Sequence, residues 1–153
     1  MRTVVARQSL PGASIDEVAR LWFDLQRWPS FVDGFRTMAV WHGEWPHVDA
    51  RIVWDSLRNG RGRVVEHVLE YEPLVSQLVR VEDPRLHGTQ RVRFIAVEGG
   101  CEIHLELEYE LKRDPGLGAA LADLFFVRRA LGDALRRTLR RFAVELGADR
   151  DMT

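Results

Sequence analysis

The chain has 153 residues, a formal net charge of −1, 46% hydrophobic and 29% charged residues. A single domain of this length buries roughly two thirds of its unfolded surface; the composition excludes disorder, and the near-neutral balance excludes a global pull toward nucleic acid or membrane. One cysteine, Cys101, excludes an internal disulfide, and the opening "MRTVVARQSLPG" lacks the apolar run of a signal peptide, so a reduced, cytoplasmic protein without a transmembrane segment is expected.

"RTVVARQSL", Arg2 to Leu10, is a β-favouring run closed by Pro11 and Gly12. Ser14 and Glu17 then form a capping box, and Val18, Leu21, Trp22 and Leu25 recur at helical spacing until Pro29. "PSFVDGF" predicts a second short helix or turn, since proline suits a first helical turn. From Arg36 to Lys112 the texture turns to strands: "TMAVWH", "ARIVWDSL", "GRVVEHVLEY", "VSQLVRVE", "TQRVRFIAV" and "CEIHLELEYELK". Asn59-Gly60 and Gly99-Gly100 mark hairpins, which makes the set an antiparallel meander. A long helix follows from Leu117 to Leu146, with Leu117, Leu121, Leu124, Leu131, Leu135, Leu139, Phe142 and Leu146 on one stripe. Arg128 falls inside that stripe, while Arg129, Asp133, Arg136 and Arg140 lie opposite. The domain is read as 1–147 and residues 148–153 as a frayed tail.

This order, strand, two short helices, six antiparallel strands and a long C-terminal helix, is an α+β layout in which a curved sheet wraps a helix. With "DLQRWPSF", "VVEHVLEYEP" and "GGCEIHLELEYEL", it resembles the START superfamily that includes the birch pollen allergen, and within it the polyketide cyclase/dehydrase and lipid-transport family. The resemblance runs from about Thr3 to Leu146. It implies a helix-grip fold: a seven-stranded curved antiparallel sheet around the long helix, with a ligand cavity between them. Trp28, Phe31 and Phe35 would then be wall and lid of that cavity; the alternative is that they plug the end of the sheet.

No strong catalytic signature is present: no G-x-S-x-G, H-E-x-x-H, P-loop or glycine-rich dinucleotide turn. The five histidines show no ligand spacing, so neither a metal nor a cofactor is expected. Cys101 and His104, three apart in a strand, fall on opposite faces and cannot form a nucleophile–base pair. Taking each strand's more apolar side as the inner one gives Trp54 in the third strand and Val65, His67, Leu69 and Tyr71 in the fourth. It gives Gln77 in the fifth, Gln90 and Phe94 in the sixth, and Ile103 to Leu111 with Tyr109 in the last. With Leu121, Leu124 and Phe125 of the helix, this is an apolar lining interrupted by a few polar groups, suited to a hydrophobic ligand carrying a few oxygens.

Three functions fit. One is a carrier of a small hydrophobic ligand such as a lipid, quinone or polyketide-like compound. The second is an aromatase/cyclase with His67 as base, Tyr109 as proton donor and Arg128 as oxyanion partner. The third is a protein-interaction module using the arginine face of the helix. His67 and Tyr109 have structural alternatives, an edge histidine and a tyrosine bonded to backbone. For Arg128 the alternative is a salt bridge to Glu66 or Asp55, should the strand register run the other way. A homodimer is left open.

Overall fold

The first turn of helix shows how local chemistry sets the elements. Ser14 Oγ accepts the Glu17 N–H at 3.2 Å and Glu17 Oε1 accepts the Ser14 N–H at 3.2 Å, so the capping box forms as the sequence predicts. Ser14→Ala should cost about 1 kcal/mol, read as a lower urea midpoint at unchanged slope.

A computed structural model of the chain describes residues 1–112 and 120–152, with side chains over 1–112 and 125–152. In order it contains β1 (Arg2–Pro11), α1 (Ile15–Phe23), a 3-10 turn (Leu25–Arg27), α2 (Trp28–Phe31), β2 (Phe35–His42) and β3 (Arg51–Ser56). There follow β4 (Arg63–Glu72), β5 (Ser76–Glu82), β6 (Leu86–Val97), β7 (Gly100–Leu111) and α3 (Ala120–Asp151). The strands form one seven-stranded antiparallel sheet in the order β1-β7-β6-β5-β4-β3-β2. The expected helix-grip architecture is therefore present: a curved sheet, a long C-terminal helix and two short helices between β1 and β2.

Two boundaries differ from expectation. Helix α1 stops at Phe23, not at Pro29, because Asp24 turns to extended geometry and its carboxylate accepts the Gln26 N–H at 3.2 Å, starting the 3-10 turn. Pro29 lies instead in the first turn of α2, where its missing N–H costs nothing. At the other end, residues expected as a tail are helical through Asp151. They are held there: Arg27 donates to Glu145 at 3.3 Å and to Asp149 at 2.7 Å, and Arg150 donates to the Pro11 carbonyl at 3.0 Å.

The core lies between the concave sheet face and α3. Leu131, Leu135, Leu139, Phe142 and Leu146 are buried along one stripe of the helix, each worth about 1.5–3 kcal/mol by removal from water. Phe142 meets Trp22 and Phe31 at ring-centroid distances of 5.7 and 5.2 Å, which locks α3 onto the two short helices. No helix among the described residues is long and apolar enough to cross a membrane.

Candidate functional site

Strand β4 determines which polar groups reach the interior. Leu69 is an extra residue relative to β5, whose Val79 and Leu78 pair with Val68 and Glu70. This bulge changes the phase of the strand. Before it, Val64, Glu66 and Val68 are buried inside; beyond it, Tyr71 opposite Gln77 reaches the same side. The expected inward set of Val65, His67 and Leu69 is thus corrected, and only Tyr71 of that set keeps its place. His67 faces the convex surface with its side chain 35% exposed, and its Nε2 lies 3.4 Å from Asp49 Oδ1. It has no access to the space under α3. The apolar-side criterion failed because the group facing inward is a carboxylate.

Glu66 is 6% exposed. Its Oε2 accepts the Trp54 indole N–H at 2.7 Å. Burial pushes its pKa up, with the Trp54 hydrogen bond and the Arg61 charge opposing, so the carboxyl holds its proton above the ordinary carboxylate range. Beside it is a partly open space of about 60 Å³ between sheet and helix, lined among others by Trp28, Trp54, Arg61, Gln90, Leu135 and Thr138. A smaller space of about 10 Å³ continues past Glu66 toward Trp22 and Gln77.

Arg61 supplies the second polar group. Its Nε donates to Asp83 Oδ2 at 2.8 Å. Asp83 is anchored in turn by the backbone N–H groups of Arg85 and Leu86, at 2.8 and 3.0 Å. Arg61 Nη2 is buried with no hydrogen-bond partner among the described residues. An unsatisfied buried donor costs roughly 1–3 kcal/mol, so a ligand oxygen reaching it recovers that loss. Neither Glu66 nor Arg61 was among the residues predicted. Arg61 lies in "RNGRG", which reads as a hairpin turn, and Glu66 entered the sequence reading only as an alternative, an ion-pair partner for Arg128 should the strand register run the other way.

The other predicted residues divide clearly. Trp28, Phe31, Phe35, Trp54, Gln77 and Phe94 are buried, and Gln90 is half-buried. Of these, Trp28, Trp54, Gln77 and Gln90 border the two spaces. Trp28 is fixed by its indole N–H to the Trp22 carbonyl at 2.8 Å, and Gln77 by its amide to the Pro46 carbonyl at 3.1 Å. Phe31 packs on Phe142, Phe35 stacks on Trp54 at 5.3 Å, and Phe94 meets Phe23 edge-on, so these three are packing groups around the site.

Tyr109 is fully buried, and its hydroxyl has no partner among the described residues. Burial pushes its pKa up, opposed by the charges of Arg2 and Arg128. Arg128 itself is exposed and forms neither alternative ion pair: Glu66 receives Trp54, and Asp55 receives Arg63 at 2.9 Å. Phe125, expected in the lining, is 64% exposed and packs edge-on against Phe126, which is 66% exposed. Over 125–130 only Val127 is partly covered, packed against the core, and among the described side chains the fully buried part of the stripe begins at Leu131. The side chains of Leu121 and Leu124 lie outside the described residues. His67, Tyr109 and Arg128 are therefore not one constellation. Cys101 and His104 do lie on opposite faces: the thiol donates to the Ala13 carbonyl inside, and the imidazole is 2.9 Å from Glu102 outside.

On α3, Arg137 forks onto Asp33 at 3.0 Å and Arg141 reaches the same carboxylate at 3.1 Å. The Asp33 N–H donates to Thr138 Oγ1 at 2.9 Å. Part of the arginine face thus clasps the segment between α2 and β2 against the helix, directly over the rim of the larger space. Among the described residues, no group of three or more His, Cys, Asp or Glu side chains is placed to hold a metal ion.

Residues 1–147 match the family described as polyketide cyclase/dehydrase and lipid transport. Among solved structures, TTHA0849 from Thermus thermophilus superposes with a TM-score of 0.78 at 21% identity, covering 97% of this chain and 99% of that one. The Zhui aromatase/cyclase from a Streptomyces species gives 0.70 at 12% identity, with 95% and 93% covered. The di-domain aromatase/cyclase StfQ of steffimycin biosynthesis gives 0.73 at 16% identity, with 99% of this chain and 52% of that chain covered. At these identities the superpositions establish a common fold. No curated protein matches the sequence.

Proposed function

Because the chain belongs to the polyketide cyclase/dehydrase and lipid transport family, we propose that it binds a small hydrophobic ligand whose oxygenated end lies against Glu66 under α3. The observation that carries this reading is a buried carboxyl with a raised pKa, a donor in its protonated form, and an unpartnered guanidinium nitrogen beside one space under α3. Both are donors, which selects a ligand oxygen that accepts: a ketone, a quinone or an enol tautomer. The space of about 60 Å³ takes that end alone, since a benzene-sized guest needs about 150 Å³. The body of the ligand would extend toward Asp33, Ala134 and Thr138 at the rim, parting the segment clasped there.

A second reading, aromatase/cyclase activity, draws support from the same carboxyl. An enol carbon of a bound poly-β-ketone would attack a ketone; the ketone oxygen takes the Glu66 proton as the C–C bond forms, and the enol O–H returns a proton to the carboxylate. Loss of water from the β-hydroxyketone completes the change. A general acid of this kind contributes about 10²- to 10⁴-fold.

Native mass spectrometry with organic extraction, together with Trp fluorescence quenching by 1,4-naphthoquinone, tests both readings. The wild type should carry a co-purifying organic molecule or quench saturably. Glu66→Gln, which keeps a hydrogen-bond donor, should bind within a few fold, and Glu66→Leu should bind at least tenfold more weakly. Absence of both signals in the wild type, or equal binding by Glu66→Leu, overturns ligand binding at this carboxyl. Turnover of a poly-β-ketone that survives Glu66→Gln overturns the cyclase step alone.

A further inference from the structure

The convex face of the sheet, which the interior site does not use, carries an unusual charge row. Strand β7 presents Glu102, His104, Glu106, Glu108 and Glu110 outward. Cross-strand register places Arg7 of β1 and Arg93 of β6 on either side of His104. Neighbouring strands are about 4.8 Å apart, so two long guanidinium arms flank one imidazole. By contrast, Glu106 faces Arg91, which also pairs with Glu70 at 3.1 Å. The Arg7–His104–Arg93 row contains no acid, and neither arginine has an ion-pair partner among the described residues.

Like groups placed directly across strands destabilise a sheet, and this row also floors a groove. The groove has a volume of about 480 Å³ and is lined on the sheet by Val5, Arg7, Arg91, Arg93, His104 and Glu106, with Arg136 of α3 joining it past the edge strand β1. A similar row, Arg51–His67–Arg80, crosses β3, β4 and β5, but this groove does not include it; in both rows the imidazole also has a carboxylate neighbour, Asp49 for His67 and Glu102 for His104.

We propose that this convex groove is a second binding site, for a phosphate group carried on an organic ligand. Guanidinium forks match phosphate oxygens two at a time, His104 lies between them, and exposed Val5 offers an apolar contact to the ligand body. Glu106 in the lining and Glu102 beside His104 repel an anion, so recognition rests on the guanidinium charge of Arg7 and Arg93 outweighing them.

The test is an amide-resolved NMR titration with inorganic phosphate and with phenyl phosphate. Saturable shifts should appear on β1, β6 and β7 around Arg7, Arg93 and His104. Arg93→Gln, an exposed site whose folding is checked in the same spectra, should weaken binding about tenfold, while Arg80→Gln in the other row should leave it unchanged. Co-sedimentation with phosphatidic acid vesicles separates the two sources of phosphate: Arg93-dependent pelleting assigns a lipid headgroup, and Arg93-dependent binding of phenyl phosphate without pelleting assigns a soluble organic phosphate. Unsaturable shifts at millimolar phosphate, or equal losses in Arg80→Gln and Arg93→Gln, overturn the site.

Discussion

Phe142→Ala should destabilise the protein by about 3–5 kcal/mol, the range for deleting a buried aromatic ring. Phe142 is fully buried and touches both Trp22 and Phe31 edge-on. Removing it leaves a void under the two short helices that cannot close, because Trp28 is tied to the Trp22 carbonyl and Arg27 ties the 3-10 turn to Glu145 and Asp149. Chemical denaturation should show the full loss, and near-ultraviolet circular dichroism should show weakened Trp22 packing before the global transition. A loss below 1 kcal/mol would mean that α3 is held to the sheet by other contacts and that this aromatic cluster is peripheral.

Glu66 makes stability depend on pH with a sign that can be worked out. Its folded pKa is raised by burial. Below the ordinary carboxylate pKa both states are protonated, and the group adds no pH dependence. Above that value the unfolded chain releases the proton while the folded one keeps it, so stability falls with rising pH until the folded pKa is passed. Glu66→Gln keeps the shape and an acceptor for the Trp54 N–H but has no proton to lose. The variant should therefore gain stability over wild type as pH rises from 4 to 8, with the difference shrinking toward pH 4. Urea unfolding at a series of pH values measures it; a constant offset across the series would show that the carboxyl is ionised in the folded state throughout.

Much of the scaffold was legible because each element carries its own signal. The Ser14–Glu17 box, the Asn59-Gly60 and Gly99-Gly100 turns and the strict alternation from Ile103 to Leu111 are local, and local chemistry determines them. The site was less legible for two reasons. The inner face of β4 was assigned by hydropathy, and a buried carboxyl inverts that rule at Glu66, while nothing in "VVEHVLEY" marks Leu69 as the extra residue. Arg128 was placed by extending the helical stripe beyond the point where the sheet supports it; the stripe is a property of the helix, but burial belongs to the pair of surfaces, and Phe125 shows that the contact begins later. Trp28, Trp54, Gln77 and Gln90 border the two spaces, on the side that alternation assigns them, because no phase error intervenes within their own strands or turns.

The extra residue in β4 also has an architectural consequence. Glu66 and Tyr71 are an odd number of positions apart, and in an uninterrupted strand one would point in and the other out. With Leu69 inserted, both reach the inside: the carboxyl under the middle of α3, and the ring against Phe23 at 5.7 Å, near the end covered by α1. The bulge works as a joint between two independent reading frames on one strand. One frame sets the carboxyl against Trp54 at the chemical end and the other sets the Tyr71 ring against Phe23 at the plugged end, so a single strand serves both ends of the interior.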